Sequence, residues 1–171
     1  MKVSELNTTE YSNYFSTYIN VIDDEDLIEG LEISLHQFIK FVQNIPMDKF
    51  DYRYAQGKWT IKEIIQHLID SERVFSYRAM RISRNDSTAL SGFDENNYVT
   101  NTNANARGIQ DLLAELSAVR FSTLFLFKSF SQDQLLRRGT ASNSTISVRA
   151  LGFLIIGHQK HHQNVFQECY L

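Results

Sequence analysis

The chain has 171 residues, 43% of them hydrophobic and 22% charged, a composition typical of one soluble domain with a sizeable core. A net charge of −3 gives no indication of a nucleic-acid or anionic-membrane partner, and no apolar run reaches the ~18 residues of a membrane span. We therefore predict a single domain, residues 1–171, with neither nucleic-acid nor membrane partners.

The N-terminal third predicts a short helix and one long helix. The start, MKVSELNTTEYSNYF, is too polar for a secretory signal, and a short helix is expected from about Thr9 to Ile19. The long helix is predicted from Asp24 to Pro46, where proline ends it. Its apolar residues recur at helical spacing: Leu27, Leu31, Leu35, Phe38 and Val42. His36 lies opposite this stripe and is predicted to face solvent.

The second long helix opens with a capping box and carries two polar residues of interest. Thr60 and Glu63 in WTIKEI form the capping box, and the helix is predicted to run to about Arg84. His67 falls at the border of the apolar arc, so it is either a boundary residue or a ligand leaning into one end of a bundle. Glu72 falls in the middle of that arc, where an unpaired charge is prohibitive.

A polar loop and a third helix follow. The loop DSTALSGFDENNYVTNTNANARG is long enough to cross from one end of a bundle to the other. Within it, Asp94 or Tyr98 could line the mouth of a site; alternatively Asp94 caps a turn while Tyr98 and Phe93 plug the bundle end. The third helix is predicted from Ile109 to Phe130. Its Arg120 lies on the apolar face, and we predict that it pairs with Glu72 as a structural device that fixes helix registry.

The fourth helix is predicted from Val148 to the terminus, after the turn-rich stretch GTASNSTIS. His158 and His162 lie one helical turn apart within its apolar stripe, whereas His161 lies at the edge. Such a pair either ligates one metal ion or forms a set of core histidines bonded to polar neighbours. Gln159 replaces the glutamate of the metalloprotease pattern HExxH, so a protease of that type is not expected.

Four amphipathic helices of similar length with one long crossover predict an all-α fold, a four-helix bundle. The single cysteine, Cys169, cannot form an internal disulfide. Together with the polar N-terminal start, this favours a cytoplasmic protein. Trp59, just before the second helix, is predicted to pack over the start of that helix.

Three stretches resemble the DinB-like (DinB/YfiT) superfamily of metal-dependent enzymes. They are GKWTIKEIIQHLIDSERVFSYRAMRISRND, GFDENNYV and SVRALGFLIIGHQKHHQNVFQECYL, in the family's order and spacing. The resemblance implies a four-helix bundle with up-down-down-up topology, a homodimer, and one divalent metal ion held by His67, His158 and His162. Three imidazoles accept zinc, nickel or other divalent ions and leave one coordination position free for water or substrate.

The resemblance also implies a choice of reactions on a small-molecule substrate. Some members are thiol S-transferases that join a low-molecular-weight thiol, such as bacillithiol, to an electrophile, and others are regarded as metal-dependent hydrolases. We favour a transferase because no glutamate base stands beside the histidine pair. A third possibility is a non-catalytic, metal-stabilised dimer that serves as a binding or regulatory module. Solvent access to the metal site would distinguish an enzyme from such a module.

Overall fold

The computed structural model describes all 171 residues as a bundle of four long helices with shorter elements at both ends. We label the elements α1 to α7, β1 and β2 in chain order, and a π-helical turn closes the chain. Their bounds are α1 Asn13–Ile19, α2 Leu27–Gln43, α3 Ile61–Ser83, α4 Glu95–Thr100, α5 Ile109–Lys128, α6 Gln132–Leu136, β1 Arg138–Ala141, β2 Ser144–Ser147, α7 Val148–Val165 and the π-helical turn Phe166–Tyr170.

Three of the four long helices begin at a capping side chain, and α5 begins after Gly108 without one. The Asp26 carboxylate accepts hydrogen bonds from the first turn of α2, and Thr60 and Glu63 form the predicted capping box of α3. Ser147 caps α7 by accepting from the backbone N–H of Ala150. The predicted helices are therefore confirmed to within about three residues at each end, apart from the C-terminal π-helical turn that ends α7 early.

Contacts along the helices give their relative directions. Glu72 meets Arg120, and one turn further Ser76 meets Thr123, so α3 and α5 run parallel. His67 near the start of α3 packs against His162 near the end of α7, so these two helices run antiparallel.

The pairing of α2 with α7 completes the topology. Leu27 at the start of α2 lies against Gly152, and Phe41 near its end stacks on Phe166, so α2 and α7 run parallel. The order is up-down-down-up, which confirms the predicted topology. The parallel pair α3 and α5 requires the long crossover, and residues 84–108 supply it with α4 along the way.

A charged layer between α2, α3, α5 and α7 separates two apolar clusters of 21 and 15 buried residues. Arg120 is 1% exposed and forms the predicted ion pair with Glu72 through two hydrogen bonds of 2.8 and 2.9 Å. Its remaining donors reach the carbonyl oxygen of Leu31 and the side chains of Ser34 and Gln159. All five guanidinium N–H groups therefore have an acceptor, the condition under which a buried arginine is tolerated.

The structure adds one β-hairpin to the predicted all-α fold. The strands β1 and β2 pair antiparallel through the turn residues Ser142 and Asn143, which have φ of +51° and +60°. Two residues with positive φ form the tight turn that matches strand twist, and asparagine tolerates this conformation. The stretch that the sequence presented as turn-rich is thus a hairpin, and Leu90 of the crossover pairs with it.

The N-terminal helix α1 packs on the C-terminal half of α7. A side chain at Gly157 would meet the backbone carbonyl oxygen of Tyr18, since a Cβ atom there would lie 2.0 Å from it. The absence of a side chain at this position lets α1 approach α7 directly. The predicted short helix, Thr9 to Ile19, is observed as a 3-10 turn at Thr8–Glu10 followed by α1. None of the helices contains an 18-residue stretch hydrophobic enough to span a membrane.

Candidate metal centre

His67, His158 and His162 converge between α3 and α7. The Nε2 atom of His158 lies 3.0 Å from Nε2 of His67 and 3.1 Å from Nε2 of His162. One ligand atom from each of the three residues lies within 4.8 Å of the others. The i, i+4 spacing places His158 and His162 on one face of α7, and the antiparallel packing brings His67 to them. His161 lies outside the cluster and His36 is exposed, both as predicted.

The donor set fits a metal ion better than it fits a hydrogen-bonded cluster. The Nε2 atom of His158 faces two other Nε2 atoms, but a single ring nitrogen can donate or accept toward only one of them well. Nδ1 of His162 is buried and has no hydrogen-bond partner. An imidazole-bound divalent ion at about 2.0–2.1 Å holds tetrahedral ligand nitrogens roughly 3.3 Å apart, close to the two separations from Nε2 of His158, 3.0 and 3.1 Å.

Burial keeps the three imidazoles neutral. It lowers the pKa of His67 from 6.5 to about 4. Burial, reinforced by the neighbouring imidazoles, lowers the pKa of His158 and His162 well below the ordinary value. At neutral pH each ring nitrogen that faces the centre can therefore offer a lone pair, the form that metal binding requires.

Acidification is expected to destabilise the metal-free protein through His67. In the unfolded chain His67 takes up a proton near pH 6.5, whereas in the folded chain it does so only near pH 4. Its contribution to stability is therefore complete above pH 6.5 and is lost as the pH falls toward 4. Between pH 7 and 5 this amounts to about 2 kcal/mol in the free energy of unfolding.

Urea unfolding of the metal-free protein at pH 7, 6 and 5 measures this loss, with His67→Gln as the comparison. The variant should lose about 2 kcal/mol less than the wild type over the same range. Equal losses in the two proteins would show that His67 is not buried in its neutral form.

A cavity of about 370 Å³ opens onto the three histidines. Aromatic rings form much of its wall: Tyr14, Phe15, Tyr18, Trp59, Phe75 and Phe93. The Trp59 ring lies 4.9 Å from the His67 ring, and the Tyr18 ring meets the His158 ring edge-on at 5.2 Å. The imidazole cluster therefore lies at the end of an accessible, largely aromatic pocket, the setting in which proteins bind small molecules.

The crossover loop contributes to the cavity through residues other than those the sequence suggested. Asp94 caps α4 by accepting from the backbone N–H of Asn97, and Tyr98 is 45% exposed and packs on Phe93. Neither Asp94 nor Tyr98 lines the cavity. Their neighbours Phe93 and Glu95 line it instead, because the first turn of α4 faces the bundle.

The residues that contact the imidazoles are not the acidic residues nearest to His67 in sequence. Glu63 and Asp70, the acidic residues closest to His67 in sequence, bond elsewhere: Glu63 to Arg53 and Asp70 to Gln66. Ser71, one turn along α3, lies 3.5 Å from Nδ1 of His67.

Trp59, predicted only to pack over the helix start, is also part of the site wall. The Tyr170 hydroxyl of the π-helical turn donates a hydrogen bond to the backbone carbonyl oxygen of Trp59.

The fold and the site together define a helical bundle with an open three-histidine centre between its second and fourth long helices. The chain belongs to the DinB superfamily, whose family model matches residues 31–166. No curated protein sequence matches the chain significantly.

Among solved structures, the chain is similar to YfiT from Bacillus subtilis, described as a probable metal-dependent hydrolase with an unusual four-helix bundle topology. The two share 20% sequence identity, with a TM-score of 0.75 over 84% of this chain and 83% of that chain. At this identity the likeness establishes a common fold.

Proposed function

We propose that this protein is a metal-dependent enzyme in which His67, His158 and His162 bind one divalent ion, zinc or nickel. The observation that carries the proposal is the convergence of three neutral imidazoles on the wall of a 370 Å³ cavity. A purely structural ion is normally enclosed by four protein ligands, whereas three ligands beside a cavity leave a position for substrate. This argues against the alternative of a non-catalytic, metal-stabilised module.

For the reaction, we propose thiol S-transfer from a low-molecular-weight thiol to an electrophile. A bound divalent ion would lower the pKa of a coordinated thiol or water, so that the nucleophile is deprotonated at neutral pH. None of the three imidazoles has a carboxylate among its hydrogen-bond partners, so no base is hydrogen-bonded to the residues of the centre. A thiol acidified in this way needs no separate base. The rings of Trp59, Phe75 and Phe93 offer an apolar wall to the electrophile.

Hydrolysis is the second candidate, and Glu95 is the residue that favours it. Glu95 lines the same cavity and is only partly exposed. It has no ion-pair partner within 4.0 Å. A carboxylate in that position could act as a general base toward water. The description of YfiT as a probable hydrolase supports the same alternative.

A panel of substrates distinguishes the two reactions. We expect the zinc- or nickel-loaded protein to form a thiol conjugate with a bimane-type electrophile, above the uncatalysed rate, with at least one low-molecular-weight thiol. Ester and amide substrates should remain intact in the absence of thiol. The control is His158→Ala, which should form conjugate only at the uncatalysed rate. Metal-dependent ester or amide cleavage, lost in Glu95→Gln, would replace the transferase by the hydrolase.

A further inference from the structure

A single buried arginine, Arg78, faces the histidine cavity without a counter-ion. Arg78 is 3% exposed and lines the cavity from α3. Its Nη2 atom donates to the carbonyl oxygen of Ser91 at 2.7 Å and to Oγ of Ser142 at 2.9 Å. Both acceptors are neutral, and no carboxylate lies within 4.0 Å of the guanidinium. Its Nε and Nη1 donors have no protein acceptor.

Two other arginines that are largely buried each pair with a carboxylate. Arg120 uses all five donors and pairs with Glu72, and Arg149 pairs with the buried Glu10. A buried guanidinium without an anion is costly, and here burial lowers the pKa of Arg78. A buried guanidinium without a protein anion is typical of a site that binds an anionic ligand. Guanidinium groups bind carboxylates through two parallel hydrogen bonds.

The surrounding elements hold Arg78 in place. Ser142 occupies the tight turn of the β-hairpin with φ of +51°, and this turn brings its hydroxyl to the guanidinium. Phe93 of the crossover loop lies under the guanidinium, with 5.9 Å between its ring centroid and Cζ. Two segments far apart in sequence thus fix one face of Arg78 and leave Nε and Nη1 for a ligand in the cavity.

We propose that Arg78 binds a carboxylate at the far end of an extended substrate whose reacting end lies at the histidine centre. The placement of the reacting end rests on the proposed function, whereas the carboxylate site at Arg78 does not. His67 and Arg78 are eleven residues apart on α3, about 16 Å along the helix axis. This separation of the two backbone positions favours an extended ligand over a compact one. The acidic Glu95 also lines the cavity and would repel a dianionic phosphate more strongly than a singly charged carboxylate.

The test uses ω-mercaptocarboxylates and their methyl esters as probes of the zinc-loaded protein, with binding measured by calorimetry. We expect 8-mercaptooctanoate to bind the wild type about 10- to 100-fold more tightly than its methyl ester, because a charged hydrogen-bonded pair is lost in the ester. The shorter 3-mercaptopropionate should show a smaller preference, because its carboxylate reaches less far from the histidine centre toward Arg78.

Variants assign the preference to Arg78. Arg78→Met should abolish the difference between acid and ester, whereas Arg73→Met, which removes a half-exposed arginine of α3 outside the cavity, should retain it. Thermal unfolding without ligand checks that each variant folds. A folded Arg78→Met that keeps the preference would overturn the proposal, as would tighter binding of the phosphonate analogue than of the carboxylate. If Arg78→Met does not fold, Arg78→Lys takes its place, with a reduced preference expected and an unchanged one contradicting the proposal.

A metal-free arm separates this proposal from the metal centre. Octanoate, which has no thiol, should shift the NMR resonance of the Arg78 Nε–H group in metal-free protein. If the mercapto probes show no thiol-dependent affinity but octanoate still shifts this resonance, the metal proposal fails while the carboxylate site stands. If thiols bind with equal affinity as acid and ester and octanoate shifts nothing, the carboxylate site fails alone.

Discussion

Arg120→Met is expected to lower the free energy of unfolding by about 3–5 kcal/mol. The substitution leaves the Glu72 carboxylate, 3% exposed, in the core without its cation, and an uncompensated buried charge costs that much. It also removes the hydrogen bonds that Nη1 donates to Ser34 and Nη2 donates to Gln159, which tie α2 and α7 to α5. Urea unfolding at pH 7 measures the change.

Two comparisons show whether the loss comes from the ion pair. The double variant Glu72→Gln/Arg120→Met should be less destabilised than the sum of the single variants, because neither charge is then left alone. Lys128→Met is the surface control: Lys128 also lies on α5 and faces Glu32 at 3.7 Å, but both are half exposed, so its loss should stay below about 1 kcal/mol. If Arg120→Met and Glu72→Gln were both silent, the pair would contribute nothing to folding.

His158→Ala is expected to weaken the binding of zinc or nickel by roughly 100- to 1000-fold. Structural zinc sites bind with about 10–16 kcal/mol shared among four ligands, so one ligand is worth roughly 2.5–4 kcal/mol. His158 is the central residue of the cluster, since its Nε2 atom is within 3.1 Å of both others. Competition with a chromophoric chelator measures the affinities.

His161→Ala is the matched control for this experiment. It removes an imidazole from the same helical turn, but His161 packs on Tyr18 and lies outside the cluster. Its affinity for the ion should remain within about threefold of the wild type. Equal losses in His158→Ala and His161→Ala would show that the ion binds to exposed imidazoles rather than between α3 and α7.

Helical periodicity was sufficient to predict the bundle and the inward placement of two of the three histidines. The apolar stripe of α7 places His158 and His162 on one inward face, and the wheel positions of Glu72 and Arg120 predict their ion pair. These features depend on residues within one helix or on the cost of burying a charge. For His67, periodicity left two interpretations, a boundary residue or a ligand. Its position at the border of the apolar arc does not show which helix it faces, and this is decided by the antiparallel packing of α7 on α3.

The remaining parts of the site depend on contacts between segments far apart in the chain, and no local pattern in the sequence predicts such contacts. Arg78 looks like one of several arginines along α3, and its lack of a counter-ion follows from the placement of Ser91 and Ser142. The wall formed by α1 depends on its close approach to Gly157. The hairpin was missed because its strands have four residues each and its turn contains no glycine.

Metal content tests the central claim most directly. Elemental analysis of wild-type protein, purified without chelators or a histidine tag, should find about one divalent ion per chain, zinc or nickel. The variant His158→Ala/His162→Ala, prepared in parallel, should contain none. A wild type that contains no metal and takes up neither zinc nor nickel on addition would contradict the account, and the three histidines would then be polar residues of the core.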